Sequence, residues 1–109
     1  MQALAVLSDP VRLEIVELLA ESERTAGEIA AHFPVSGPAI SRHLRVLRES
    51  GVATYRQDAQ RRIYALNPAS LEEVEDWAGG LLRRWRSRFD ALGAHLDTMA
   101  ADETRGTKR

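Results

Sequence analysis

The sequence predicts a mainly α-helical domain that carries one β-hairpin, and three observations lead to this fold class. Apolar residues recur at helical spacing through residues 2–50 and again from residue 70 onwards. Between these stretches, over residues 52–66, the spacing changes to the alternation that is typical of strands. Residues that cap helices stand where the helical stretches begin. The chain has 109 residues, which is the size of a single domain.

Two helices are expected at the start of the chain. Residues 2–7 are apolar and predict a short helix. Ser8 and Asp9 can cap a second helix over residues 11–20, and Pro10 takes the first-turn position, where its missing N–H costs nothing. This second helix has an apolar stripe on one side and glutamates on the other.

Two further helices follow, with a short turn between them. Thr25 and Glu28 have the spacing of a capping box, in which each side chain accepts a hydrogen bond from the other residue's backbone N–H. The helix that they begin is short and ends before Pro34. Ser36 is a natural N-cap for a longer helix over residues 36–50. A short helix, a tight turn and a second helix together form a helix-turn-helix.

The helix over residues 36–50 has two contrasting faces. Ile40, Leu44 and Leu47 form an apolar stripe. The opposite face begins with small residues and continues with arginines, which suit phosphates and base edges. Gly51 can adopt the left-handed conformation that ends a helix. Taken alone, the pattern also fits an amphipathic helix whose polar face is simply solvated.

The hairpin is predicted from residues 52–58 and 61–66, where β-branched and aromatic residues alternate with polar ones. The two residues between these strands include no glycine, so we expect a longer or looser tip than a tight turn. Arg56, Arg61 and Arg62 make the hairpin basic. A basic ribbon attached to a helix-turn-helix is a winged helix.

A long terminal helix is predicted to begin at the second capping box, residues 70–73, and to end at about Asp97 or Met99. Its apolar stripe is longer than so small a domain can bury, and such a surplus usually marks a partner interface. Residues 100–109 are polar and are expected to be disordered. The chain therefore divides into a domain over residues 1–99 and a tail over residues 100–109.

Charge is distributed unevenly along the chain. The whole chain has a formal net charge of −1. Residues 1–35 hold two arginines against six carboxylates, whereas residues 36–66 hold six arginines against two carboxylates. The positive charge is thus concentrated in the second helix of the helix-turn-helix and in the hairpin. A local excess of this kind is what a phosphate-binding face requires.

The composition argues against several classes of protein. Without cysteine there is no disulfide framework, thiolate metal site or cysteine nucleophile. No apolar run approaches the length of a membrane span, and no secretory leader is recognisable, so a cytoplasmic location is expected. No Ser/His/Asp set, paired-carboxylate cleft or glycine-rich phosphate loop indicates an enzyme. We expect no cofactor.

Four motifs resemble those of the ArsR-type winged-helix repressors: AVLSDPVR at residues 5–12, EIA at 28–30, VSGPAISRHLRVLRESGV at 35–52 and RIYAL at 62–66. The resemblance covers about residues 2–98. It implies a homodimer, formed by the first and last helices, that acts as a repressor or autorepressor on a near-palindromic DNA operator. Each subunit would place residues 36–50 in a major groove and the hairpin over residues 52–66 on adjacent DNA.

The candidate DNA-binding residues lie on the outward face of residues 36–50 and on the hairpin: Ser36, Gly37, Pro38, Ser41, Arg42, His43, Arg45, Arg56, Arg61 and Arg62. Arg42 is best placed to read a base and Arg45 to bind phosphate. Ser36 could instead act as a cap alone, and His43 could make a structural hydrogen bond. The hairpin arginines could simply keep the tip soluble.

The candidate dimer residues lie on the first and last helices: Leu4, Leu7, Trp77, Leu81, Trp85, Phe89, Leu92 and Leu96. Metal-sensing ArsR proteins hold a thiolate site where this chain has residues 24–26, Arg-Thr-Ala. Their other site pairs Asp and His with His and Glu along the terminal helix. Here that helix offers His95 and Asp97 near one end and only Glu and Asp near the other, so we expect no metal site. A small-molecule inducer of unidentified chemistry stays open as a further partner. Two alternatives stay open: a protein-interaction module, and a metal-responsive repressor with an oxygen/imidazole site.

Overall fold

The structure, a computed structural model, describes the backbone of residues 1–107 and the side chains of residues 1–100. Its elements are, in order, α1 (Gln2–Val6), α2 (Pro10–Glu21), β1 (Arg24–Thr25), α3 (Ala26–Ala31), α4 (Gly37–Glu49), β2 (Ala53–Asp58), β3 (Arg61–Leu66) and α5 (Pro68–Thr107). Met1–Val74 forms one compact unit, and the chain from Glu75 onwards forms a second. The predicted fold class, a mainly helical domain with a β-hairpin wing, is confirmed.

Three of the helices, α2, α3 and α4, begin at the capping residues that the sequence predicts. The side chains of Asp9 and Ser36 each accept a hydrogen bond from a backbone N–H in the first turn of α2 and α4. Thr25 and Glu28 form both hydrogen bonds of the capping box that starts α3. Gly51, with φ of 81°, lies just past the end of α4. Local side-chain chemistry therefore sets where these helices start.

The core of the first unit is built from the apolar stripes of its helices. Ile15 of α2, Ile29 of α3 and Leu47 of α4 are fully buried. Val52, directly before the wing, is fully buried as well, and Tyr64 of β3 closes the core from the sheet side. Burial of these side chains determines how α4 is rotated about its own axis.

The sheet contains a strand that the sequence did not reveal. β1 pairs antiparallel with β3, so that the strand order is β1-β3-β2. The predicted order of elements, α-α-α-α-β-β-α, is therefore corrected to α-α-β-α-α-β-β-α. A strand of two residues shows no alternation, and its second residue, Thr25, also serves as the N-cap of α3. Only the pairing with β3 defines it.

The wing has a tighter tip than expected. Asp58 pairs with Arg61, which leaves Ala59 and Gln60 as a two-residue turn. Ala59 adopts φ of 55°, the left-handed conformation that glycine usually supplies. This conformation costs an L-residue roughly 1 kcal/mol, and the paired strands on both sides impose it. The expectation of a longer or looser tip was wrong.

The terminal helix α5 is longer than predicted at both ends. Asn67 Oδ1 accepts a hydrogen bond from the first turn, and Pro68 is the first helical residue. Ser70 lies inside that turn, where its Oγ donates to the Asn67 carbonyl at 2.8 Å. The predicted capping box at residues 70–73 was wrong, because an Asn-Pro start lies upstream of it.

At its other end α5 continues to Thr107, past the predicted end near residue 99, since no proline interrupts this stretch. The backbone of residues 108–109 and the side chains of 101–109 lie outside the described residues. The disorder predicted for the tail over residues 100–109 stays a prediction. Within the described part of the chain, no helix is both long and apolar enough to cross a lipid bilayer.

Candidate nucleic-acid interface

α4 and the wing border a concave groove of about 640 Å³. We call it the arginine groove, because its charged lining residues are Arg42, Arg45 and Arg48 of α4 and Arg62 of β3. Pro38 and Ser41, which are small, line it near the start of α4. The arrangement combines a concave shape, room for close approach and four guanidinium groups.

The arginines of α4 face the groove because the opposite side of that helix is buried. Arg42, Arg45 and Arg48 are spaced by three residues, so they lie on neighbouring positions of one helix face. Ile40 and Leu47, on the other side, are only 2% and 0% exposed. The apolar stripe therefore directs the arginine face outward.

The two faces of the wing separate its three arginines. Side chains alternate along a strand, so Arg62 shares the face of Tyr64, which also lines the arginine groove. Arg56 and Arg61 lie on the opposite face of the sheet. Arg56 forms an ion pair of 2.9 Å with Glu23, and Arg61 pairs with the Asp58 carboxylate at 3.5 Å. The structure thus groups Arg62, but neither of the other two, with the arginines of α4.

Sequence reasoning missed Arg48, which lines the groove, and Tyr55, whose ring contacts two of the groove arginines. The guanidinium carbons of Arg48 and Arg62 lie 5.1 and 5.2 Å from the centroid of the Tyr55 ring. The helical spacing from Arg42 and Arg45 was a signal that could have identified Arg48. No comparable signal existed for Tyr55, because its contact with α4 depends on tertiary packing.

Three other predicted residues of α4 lie away from the groove lining. The Oγ of Ser36 accepts the capping hydrogen bond at 3.3 Å, and Gly37 is exposed in the first turn. His43 faces α2, with its Nδ1 3.8 Å from Asp9 Oδ2. A backbone hydrogen bond from Arg12 holds the pKa of the Asp9 carboxyl below its ordinary value. The geometry of His43 favours a structural contact with Asp9.

The second unit presents an exposed apolar face along α5. Its predicted dimer residues are between 40% and 60% exposed: Trp77, Leu81, Trp85, Phe89, Leu92 and Leu96. The rings of Trp85 and Phe89 stack with centroids 5.4 Å apart. In the first unit, Leu4 on α1 is exposed, whereas Leu7 packs partly against the core.

The described residues hold no group of three or more His, Asp or Glu side chains that could bind a metal ion.

Comparison with known proteins matches the part of the chain that carries the helix-turn-helix. Residues 9–55 match the family described as "Bacterial regulatory protein, arsR family". The HTH-type transcriptional regulator Rv2034 of Mycobacterium tuberculosis is 41% identical over 101 residues, which cover 93% of this chain and 92% of that protein. The chain belongs to the ArsR family. The transcriptional repressor SdpR of Bacillus subtilis is 39% identical over 65% of this chain and 79% of that protein.

Solved structures agree with this assignment to the ArsR family. A possible transcriptional regulator for arsenical resistance has a TM-score of 0.69 and 41% identity, with coverage of 74% of this chain and 84% of that one. An ArsR-like transcriptional regulator from Rhodococcus sp. RHA1 has a TM-score of 0.72 and 27% identity, with coverage of 84% and 86%. This ArsR-family chain is a transcriptional regulator and not an enzyme.

Proposed function

We propose that this protein is a repressor that binds a near-palindromic DNA operator as a homodimer. The observation that carries the proposal is the arginine groove, in which Arg42, Arg45, Arg48 and Arg62 converge from two different elements. Guanidinium groups bind phosphates through paired N–H donors, and a concave basic surface suits the curved phosphate backbone of a duplex.

In this arrangement α4 enters the major groove, which is wide enough to admit a helix. Pro38 and Ser41 are small and allow the start of α4 to approach the base edges. Arg42 follows them on the same face and is assigned to base reading. Arg45 and Arg48 are assigned to the phosphates that border the groove, and Arg62 to the phosphates beneath the wing.

Arg56 and Arg61 receive less support as DNA contacts. Both are engaged in ion pairs on the face of the wing that points away from the arginine groove. Exposed pairs of this kind are weak, so they do not prevent either side chain from reaching DNA. Their contacts with DNA stay predictions. The same holds for the DNA contacts of Gly37, Ser36 and His43.

The dimer part of the proposal rests on α5. Its exposed apolar face includes two tryptophans and continues over several helical turns, a surface that rarely stays uncovered. A second copy of the chain would bury it, and the dimer would offer two copies of α4 to one duplex. The half-sites would then lie about one helical turn, roughly 10 bp, or a multiple of this apart. Repression is supported by relatives that are named as transcriptional repressors.

Fluorescence anisotropy on fragments of the source genome tests DNA binding. Arg42→Ala is expected to weaken operator binding by about 1–3 kcal/mol while changing binding to random DNA much less. Equal losses on both kinds of DNA would remove the base-reading role of Arg42. The matched control is Arg86→Ala, an exposed arginine of α5, and its binding should stay close to that of the wild type. Failure of the wild type to bind any fragment would favour a protein-interaction module.

Sedimentation velocity tests the dimer. Trp85→Ala and Phe89→Ala should shift the protein towards monomer, because each removes a large aromatic surface from the interface. A wild-type protein that sediments as a monomer at the concentrations that bind DNA would contradict the dimer. Zinc titration during operator binding tests the metal-responsive alternative, for which zinc-dependent release of DNA is the expected sign.

A further inference from the structure

The ring of Tyr55 is in contact with two arginines that come from different elements. The guanidinium of Arg48, in the last turn of α4, and that of Arg62, on β3, each lie about 5 Å from its centroid. A guanidinium over an aromatic face is attracted by the negative charge of the ring face. One aromatic side chain therefore joins the end of α4 to the wing.

The position of Tyr55 is itself determined by the core. Tyr55 and Tyr64 are directly paired across β2 and β3, and their ring centroids are 5.6 Å apart. Tyr64 is only 4% exposed and belongs to the core, whereas Tyr55 is 38% exposed. The buried Tyr64 ring thus packs against the Tyr55 ring, and the Tyr55 ring in turn contacts the two guanidinium groups.

The contact with the ring is compatible with anion binding by the same arginines. A guanidinium is planar and carries its N–H donors around its edge, so a ring that packs against its face leaves the edge donors free. Long arginine side chains otherwise lose considerable conformational entropy when they are ordered on binding. Ordering them in the free protein removes part of that loss from the binding step.

We propose that Tyr55 is a positioning residue for DNA binding, which pre-orients Arg48 and Arg62 towards the phosphates in the arginine groove. The proposal rests on the proposed function and adds to it a residue that acts without contacting a base. It predicts that these two arginines are ordered before DNA arrives, whereas Arg42 and Arg45, for which no ring contact is described, become ordered only on binding.

Nuclear magnetic resonance of the free wild-type protein tests whether Arg48 and Arg62 are ordered before DNA binds. The arginine Nε–Hε groups of Arg48 and Arg62 should have higher order parameters than those of Arg42 and Arg45. Equal mobility of all four side chains would overturn the inference. This measurement needs no variant and no DNA, so it stands even if DNA binding itself fails.

The DNA affinity of Tyr55 variants tests whether the ring contributes to binding. Tyr55→Leu, which keeps an apolar side chain but removes the ring, should weaken binding about fivefold to tenfold. Tyr55→Phe keeps the ring and should restore binding to within about twofold of the wild type. A loss in Tyr55→Phe equal to that in Tyr55→Leu would show that the hydroxyl, and not the ring, matters, and would contradict the proposal.

A double-mutant cycle separates positioning from a general structural effect. In the background of Arg48→Ala with Arg62→Ala, the further change Tyr55→Leu should have almost no effect on affinity. In the background of Arg61→Ala, on the other face of the wing, it should keep its full effect. An undiminished loss in the first background would overturn the inference. Absence of DNA binding by the wild type would instead refute the proposed function.

Discussion

The neighbouring arginines of the wing provide a sharp test of which face meets DNA. Arg62 lies in the arginine groove, whereas Arg61, the residue before it, faces the other side and pairs with Asp58 at 3.5 Å. The changes Arg62→Ala and Arg61→Ala remove the same charge from adjacent positions. Any difference between the two variants therefore reports on geometry and not on net charge.

The expected size of the effect follows from counterion release. Each phosphate contact contributes about 0.9 to the slope of log affinity against log salt concentration. Loss of one contact in Arg62→Ala should make this slope less steep by the same amount. Between about 50 and about 200 mM salt, the ratio of the wild-type affinity to the Arg62→Ala affinity should therefore fall by about 3.5-fold. Arg61→Ala should change the slope by less than half as much.

The assay is fluorescence anisotropy with one labelled operator fragment over a series of salt concentrations. Thermal unfolding of both variants serves as the control, and neither should lose much stability, because the ion pair of Arg61 is exposed and such pairs contribute little. Equal changes in slope, or a larger change in Arg61→Ala, would refute the reasoning. The wing would then meet DNA with the face opposite to the arginine groove.

Three further predictions concern the scaffold that presents this surface. Ser36→Ala should lower the free energy of unfolding by about 1 kcal/mol through loss of the α4 cap, and Ser36→Asp should restore it. Urea unfolding measures the stability of both variants. An unchanged midpoint in Ser36→Ala would contradict the stabilising role of the cap. Leu47→Ala should cost about 2–5 kcal/mol, since this side chain is fully buried, and a loss below about 1 kcal/mol would show that the core collapses around it. The hydrogen bond from the Thr25 backbone N–H lowers the pKa of Glu28 below its ordinary value of 4.5. The lowered pKa adds stability that is present above the ordinary value and is lost as the pH falls through the folded-state value. Glu28→Gln should therefore reduce the loss of stability between about pH 6 and about pH 3 in urea titrations, and an identical pH profile would disprove this contribution.

Much of the fold could be predicted from the sequence, because its signals act over a few residues. Asp9, Ser36 and the Thr25–Glu28 pair start their helices through hydrogen bonds within one turn. The apolar stripe of α4 likewise predicted which of its faces is buried. Where two local signals competed, the prediction failed: Ser70 looked like an N-cap, but Asn67 and Pro68 begin α5 upstream of it.

The candidate site was predictable on α4 and only partly so on the wing. Helical spacing places Arg42 and Arg45 on one face whatever the rest of the chain does. The wing has two faces of similar composition, and alternation alone does not say which of them lies against α4. The ion pair between Arg56 and Glu23 and the position of Arg62 in the arginine groove emerge only once the sheet is packed.

By itself the sequence determined the starts of α2, α3 and α4, the outward direction of the α4 arginines and the basic character of the wing, since all three depend on near neighbours in the chain. The tertiary structure decided the rest: that Arg24 and Thr25 form a strand, that Ala59 accepts a left-handed turn, and that Tyr55 meets Arg48 and Arg62. These features arise from contacts between elements. Such contacts join residues that are far apart in the chain and that meet only when the shared core is buried. No short stretch of sequence therefore predicts them.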